Sequence, residues 1–139
     1  MARRDDLHFP VRRALEKDGW AITHDPLRLV FHELELKADL GAERRFAAQK
    51  GGRKIAVEVK DFDTASLTSE LQRMIGQLQL YQLALNEQEP DRELFLAISY
   101  AVYDRDFQKQ AIRIIVELNR IDLLVVDETE EVILQWIKQ

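Results

Sequence analysis

The chain has 139 residues, an apolar content of 46% and a formal net charge of −5 at neutral pH. It contains no cysteine, which excludes disulfide bonds and thiolate metal sites, and its length suits one domain over residues 1 to 139 that buries about two thirds of its unfolded surface. There is no signal peptide pattern and no apolar run near the roughly 20 residues of a membrane span, so we expect a cytoplasmic protein without a membrane partner.

A helix is predicted over about residues 6 to 18. An aspartate at its start would serve as the cap, apolar residues follow at helical spacing, and Gly19 is typical of the position just beyond a helix end. Residues 20 to 23 then form a predicted short strand, and residues 27 to 36 are predicted as extended chain of undefined register.

Glu16 is a candidate site residue on this first helix. It follows Arg12 by four residues, so the two side chains share a helical face that would carry Glu16 toward the site if it were turned to the sheet. The alternative is an exposed helix residue, which is the commoner environment of a glutamate.

A hairpin is predicted between residues 44 to 50 and residues 53 to 60, with two glycines at the turn. Side chains alternate along the second strand, so Glu58 and Lys60 share one face. The hairpin carries the Asp39 end of the chain toward Glu58, and two carboxylates and one ammonium group then converge.

Such a group suits phosphodiester hydrolysis. Mg²⁺ or Mn²⁺ takes oxygen ligands and needs only one or two carboxylates, which would be Asp39 and Glu58. Lys60 would steady the attacking water or the developing negative charge. The alternative is a solvated polar face with a surface ion pair of about 0 to 1 kcal/mol.

The next predicted helix begins near residue 66, ends near Pro90 and carries a second pair of candidates. Gln77 and Tyr81 lie four residues apart on one helical face, and both side chains are able to hydrogen-bond a water or a phosphate oxygen. The alternative places Tyr81 in the core with Gln77 as a polar neighbour.

Further elements complete an α/β protein of order αβββαβαββ. The pattern predicts a strand over residues 93 to 99, a helix over 107 to 118, and closing strands over 121 to 126 and 132 to 137 around an acidic turn. In the helix, the inward residues are predicted to be Ala111, Ile114, Ile115 and Leu118. The three histidines show no spacing typical of a zinc site.

Charge is distributed unevenly along the chain. Residues 1 to 60 hold 13 Lys or Arg and 10 Asp or Glu, whereas residues 61 to 139 hold 7 and 15. We expect the acidic part to serve self-association or a partner, and the basic part to form a DNA-binding rim beside the site. The rim residues are predicted to be Arg12, Arg13, Arg44, Arg45, Lys50, Arg53 and Lys54. The alternative is that each is simply a solvated surface charge.

Asp39, Glu58-Val59-Lys60 and Gln77-x-x-x-Tyr81 on this arrangement resemble the PD-(D/E)XK nuclease superfamily, in particular branches that add a Gln-x-x-x-Tyr helix. The resemblance implies a restriction-endonuclease-like αβββαβ core with a central mixed sheet flanked by helices. By position it gives Asp39, Glu58 and Lys60 the nuclease core roles. Ala38 departs from the proline of the superfamily pattern.

The whole chain resembles the XisH family, the fdxN-element excision controlling factors of cyanobacteria and similar bacteria. The matching segments are residues 14–20, 23–27, 39–43, 54–60, 76–78, 90–92, 96–98 and 132–137. The resemblance implies an accessory role in site-specific excision of a DNA element, alongside a recombinase and a companion protein called XisI. It also gives Gln77 and Tyr81 helix roles and makes Glu16 the helix-one acid of some members.

Two functions follow as hypotheses. The first is a Mg²⁺-dependent DNA endonuclease, in which a homodimer would suit the cutting of two strands. The second is a non-catalytic control module that binds DNA or protein on a nuclease scaffold and works through a partner, since a fold does not fix a function.

Overall fold

A computed structural model describes residues 6–45, 52–63 and 66–139 of the chain. Its elements in chain order are α1 (His8–Lys17), β1 (Ala21–His24), β2 (Leu27–Phe31), β3 (Leu34–Ala38), β4 (Leu40–Arg44), β5 (Arg53–Val59), α2 (Leu67–Gln88), β6 (Arg92–Ser99), α3 (Tyr100–Arg105), α4 (Gln110–Leu118), β7 (Leu123–Asp127) and β8 (Val132–Ile137).

Six strands form a central mixed sheet in the order β1-β4-β5-β6-β7-β8. The pairs β5–β6 and β6–β7 are parallel, while β1–β4, β4–β5 and β7–β8 are antiparallel. Strands β2 and β3 form a separate antiparallel pair that packs against α2. Helices cover both faces of the sheet, which confirms the predicted mixed α/β fold with a central sheet flanked by helices.

Strand β5 divides the two hydrophobic cores. Ile55, Val57 and Val59 point into the core that α1 covers, whereas Ala56 points into the core that α2 covers. The alternation predicted from sequence is therefore confirmed, and it turns Glu58 toward α2.

The first strand of the hairpin begins earlier than predicted. Strand β4 spans Leu40–Arg44, because the buried residues Leu40 and Ala42 supply its apolar contacts. Most of the predicted strand over residues 44 to 50 lies outside the described residues. Residues 27 to 38, just before β4, form the β2–β3 pair, in which Leu29 and Leu36 are cross-strand partners that face the core.

The predicted inward face of the last helix is also wrong. Ile112 and Val116 are its buried residues, whereas Ala111, Ile114 and Leu118 are exposed. Helix α4 begins at Gln110, three residues after Phe107, which is buried outside the helix. The helix therefore buries the side of Ile112 and Val116 instead of the predicted side.

The short helix α3 was not predicted. It follows β6 without a loop, and the Ser99 side chain accepts a hydrogen bond from the Val102 amide at its start. In the described parts of the chain, no helix combines the length and the apolar content that crossing a membrane requires.

Candidate active site

Asp39 and Glu58 meet at the open end of the β4–β5 pair. Leu40 is the partner of Val57, so Asp39, which precedes Leu40, lies beside Glu58, which follows Val57. The Asp39 Oδ2 atom accepts a hydrogen bond of 2.7 Å from the Val59 amide. This bond fixes the Asp39 carboxylate against β5 and confirms the predicted convergence of the two acids.

Glu58 is almost completely buried, at 5% exposure. Burial, followed by the neighbouring charge of Asp39, raises the pKa of Glu58 to about 8. Lys60 opposes this shift, with its Nζ atom 3.8 Å from Glu58 Oε2. The sequence-predicted trio of Asp39, Glu58 and Lys60 is thus one electrostatic unit.

Glu58 Oε1 is buried and makes no hydrogen bond within the described residues. A buried oxygen without a donor is costly, and a cation or a bound water would satisfy it. The carboxylates of Asp39 and Glu58 fit a hard divalent cation that keeps several of its waters. Gln77 Oε1, on α2, is also buried without a hydrogen bond in the described chain, but no described contact joins it to the two acids.

Larger metal clusters are absent from residues 6–45, 52–63 and 66–139, where no three His, Asp or Glu side chains gather as a ligand set. A zinc site built entirely from protein ligands is therefore not supported in that part of the chain. A pair of carboxylates could hold Mg²⁺ or Mn²⁺ only with water or a substrate phosphate as further ligands.

Tyr81 reaches the same place from α2. Burial, followed by the charges of Glu58 and Asp39, raises its pKa. The hydroxyl donates a 2.7 Å hydrogen bond to the backbone carbonyl of Lys37, two residues before Asp39. Tyr81 therefore holds the chain segment that carries Asp39.

Glu16 has its described contacts away from the two acids. Its side chain is half exposed, and its carboxylate pairs with Arg12 at 4.0 Å. Helix α1 covers the Ile55 face of β5, whereas Glu58 points to the opposite face. No described contact joins Glu16 to the two acids, so its role in the site stays a prediction.

The arginines of the predicted rim lie at the turn end of β4–β5, away from the two carboxylates. Arg44 and Arg53 are partners at this end, and Glu58 lies five positions beyond Arg53, about 17 Å along a strand. Their guanidinium groups lie 6.0 and 5.6 Å from the Trp20 ring. Arg44 also forms an ion pair with Asp18, and Arg53 forms one with Glu93. These contacts tie both side chains to neighbouring parts of the fold.

The other predicted DNA-binding residues have mixed environments. Arg12 donates to Asp25 at 2.6 Å and Arg13 donates to Glu131 at 2.6 Å. Arg45 and Lys54 lie at the turn end with Arg44 and Arg53, and Lys50 falls outside the described residues. Contact with DNA by any of these side chains stays a prediction.

A buried polar cluster near the start of α1 was missed by sequence reasoning. His8 Nε2 lies 3.0 Å from Asp25 Oδ1, and Arg12 holds the other oxygen of the same carboxylate. His8 is 2% exposed, so it belongs to the buried face of α1 with Val11. Its helical spacing from Val11 was the available signal, but nothing in the sequence links it to Asp25.

Comparison with known proteins gives consistent matches over almost the whole chain. The family model described as XisH protein matches residues 1–134. An XisH family protein from Nostoc punctiforme PCC 73102 is 40% identical, with a TM-score of 0.87 over 96% of this chain and 100% of that one. A fdxN element excision controlling factor protein from Anabaena variabilis is 43% identical, with a TM-score of 0.88 over 97% and 100%. No curated protein matches the chain.

Proposed function

The chain belongs to the XisH family, and we propose that it is an accessory factor in site-specific excision of a DNA element. From the geometry at Asp39 and Glu58 we also propose that the protein itself acts as a Mg²⁺-dependent endonuclease. The observation that carries the nuclease part is the buried Glu58 carboxylate, which lies beside Asp39 with an unpartnered oxygen. In this proposal the fold is the restriction-endonuclease-like core of the PD-(D/E)XK superfamily.

Asp39 and Glu58 would hold the cation. Once bound, Mg²⁺ or Mn²⁺ supplies Lewis-acid polarisation of the phosphate and lowers the pKa of a coordinated water. Asp39 is already oriented by the Val59 amide, and Glu58 Oε1 makes no hydrogen bond within the described residues. Binding therefore requires loss of the Glu58 proton more than movement of the chain.

Lys60 and Gln77 would act on the substrate side. The Lys60 ammonium group is mostly buried, which strengthens its attraction for the charge that develops on the phosphate. The Gln77 amide would orient the attacking water or a phosphate oxygen, since its carbonyl oxygen lacks a partner within the described chain. Tyr81 would act as a positioning residue through Lys37.

Plasmid nicking tests this proposal. Supercoiled DNA with Mg²⁺ or Mn²⁺ should be converted to the open-circular form by the wild type, and Glu58→Gln should reduce the rate by at least about 100-fold, as expected for loss of a ligand that organises electrostatic catalysis. Glu93→Gln is a matched control, because Glu93 lies at the opposite end of the sheet and pairs with Arg53. No nicking by a well-folded wild type would defeat the nuclease part.

A second candidate function is the control module that works through a companion protein. It is favoured by a groove of about 710 Å³ between α2, β6 and the end of α4, lined by apolar side chains that include Leu78, Leu83, Leu94 and Ile121. Leu83 is 46% exposed there. Exposed apolar patches of this kind mark protein interaction sites.

The two candidates make opposite predictions in cells. If partner binding carries the role, Leu83→Asp should abolish excision while Glu58→Gln preserves it. If the nuclease site carries the role, Glu58→Gln should abolish excision in a protein that still folds. In that case a recombinase and an XisI-like companion would act during or after DNA cleavage. A homodimer would place two nuclease sites on one DNA molecule.

A further inference from the structure

The β2–β3 pair presents two cations side by side on its exposed face. Arg28 and Lys37 are cross-strand partners, and both are exposed, while the neighbouring pair Leu27 and Ala38 is buried. Within the described residues neither cation makes an ion pair, and Glu35 on the same face pairs with neither. Because side chains alternate along a strand, the pair that buries Leu27 and Ala38 on one face places Arg28 and Lys37 on the other, exposed face.

Like charges placed directly opposite each other on a sheet destabilise it. In the free protein Arg28 and Lys37 therefore repel each other without a described carboxylate between them. An anion bound across the pair would remove that repulsion, and a backbone phosphate of DNA is the anion that matches two adjacent cationic side chains.

The pair also lies beside the candidate active site. Lys37 is two residues before Asp39, about 7 Å in extended chain. Its carbonyl is held by the Tyr81 hydroxyl at 2.7 Å, and Leu27 and Ala38 anchor the base of the hairpin in the core. The two cations therefore have a fixed position relative to Asp39, whereas the arginines at the turn end of β4–β5 are about 17 Å from Glu58 along the strand.

We infer that Arg28 and Lys37 bind a phosphate of the DNA backbone next to the one at Asp39 and Glu58. The pair sets the register of the DNA strand on the protein and contributes no base recognition. The inference rests on the proposed function for the nature of its ligand, but it concerns binding and does not require cleavage.

Fluorescence anisotropy of a fluorescein-labelled DNA duplex tests this inference in EDTA, so that binding is measured without cleavage. We expect Arg28→Gln/Lys37→Gln to weaken binding about 10-fold or more at low salt and to reduce the slope of log K against log salt by about 1, because one phosphate contact is lost. The melting temperature should stay the same or rise, because the repulsion is removed.

Arg113→Gln/Arg120→Gln is the matched control. Both arginines are exposed on or just after α4, have no described ion pair, and play no part in the site. Equal losses in the two double variants, unchanged binding in Arg28→Gln/Lys37→Gln, or no DNA binding by the wild type would each overturn the inference. Selective loss in Arg28→Gln/Lys37→Gln would support it even if the wild type fails to nick plasmid, a result that defeats only the nuclease proposal.

Discussion

Glu58 is held between opposing influences. Burial and the charge of Asp39 favour its protonated form, while Lys60 favours the carboxylate, and the pKa of about 8 gives the balance. At neutral pH the metal-free protein therefore keeps Glu58 mainly protonated. A divalent cation at this position must displace that proton, so binding should strengthen as the pH rises toward 8 and above.

The same shift predicts how stability depends on pH in the metal-free protein. In the unfolded chain Glu58 ionises near its ordinary pKa of 4.5, whereas in the folded protein it keeps its proton up to about pH 8. Between these values the folded state binds more protons, so the free energy of unfolding falls as the pH rises. At about 1.4 kcal/mol for each pKa unit, the contribution amounts to several kcal/mol.

Glu58→Gln should remove this part of the pH dependence. Urea denaturation in EDTA at pH 5, 7 and 9 should show that the variant gains stability relative to the wild type as the pH increases. Parallel pH profiles for the two proteins would contradict the burial of an ionisable carboxyl group at this position.

Tyr81 is expected to act through structure. Tyr81→Phe removes the hydrogen bond to the Lys37 carbonyl, which is partly buried, and the net loss of such a bond is about 0.5 to 1.5 kcal/mol. We expect lower stability in urea denaturation, together with weaker metal binding because Asp39 is held less firmly. Unchanged stability with complete loss of nicking would instead assign the hydroxyl a direct role in the reaction.

At the level of the elements, α4 gives a clear test of which helical stripe faces the sheet. Ile112 is 2% exposed and Leu118 is 79% exposed, although the sequence predicts that Leu118 points inward. Ile112→Ala should cost about 2 to 5 kcal/mol, whereas Leu118→Ala should change stability by less than about 0.5 kcal/mol. Equal costs in urea denaturation would contradict the observed orientation of α4.

The elements also show what local patterns can predict. The alternation of β5 and the helical spacing of Gln77 and Tyr81 are local, and both were predicted correctly. The separate β2–β3 pair was not, because residues 27 to 38 contain two short apolar runs whose partner depends on the distant helix α2. Strand β4 begins at Leu40, directly after that missed pair.

In the site, too, the features set by local pattern could be predicted from the sequence, and those set by tertiary packing could not. Asp39, Glu58 and Lys60 converge because a strand period and a hairpin were enough to bring them together. The bond from Tyr81 to the Lys37 carbonyl depends on tertiary packing, and so does the facing pair Arg28 and Lys37. Proximity in sequence to the hairpin does not distinguish its turn end, where Arg44 and Arg53 lie, from its open end, so the role of the basic rim stays a prediction.

Across the whole molecule, the two ends of β5 have different chemistry. The turn end is built from aromatic and ion-paired contacts, in which Arg53 bonds Glu93 and its guanidinium lies 5.6 Å from the Trp20 ring. The open end carries the buried acids, with Lys60 beside them and unpaired cations on the neighbouring hairpin. We therefore expect the DNA strand to bind at the open end, despite the net charge of −5.

Titration calorimetry with Mn²⁺ at pH 8 on the wild type, Glu58→Gln and Glu93→Gln tests the cation site most directly. We expect about one ion to bind per chain through two carboxylates and water, with binding retained in Glu93→Gln and lost in Glu58→Gln. Absence of binding to the folded wild type, or equal binding to Glu58→Gln, would contradict a divalent cation site at Asp39 and Glu58.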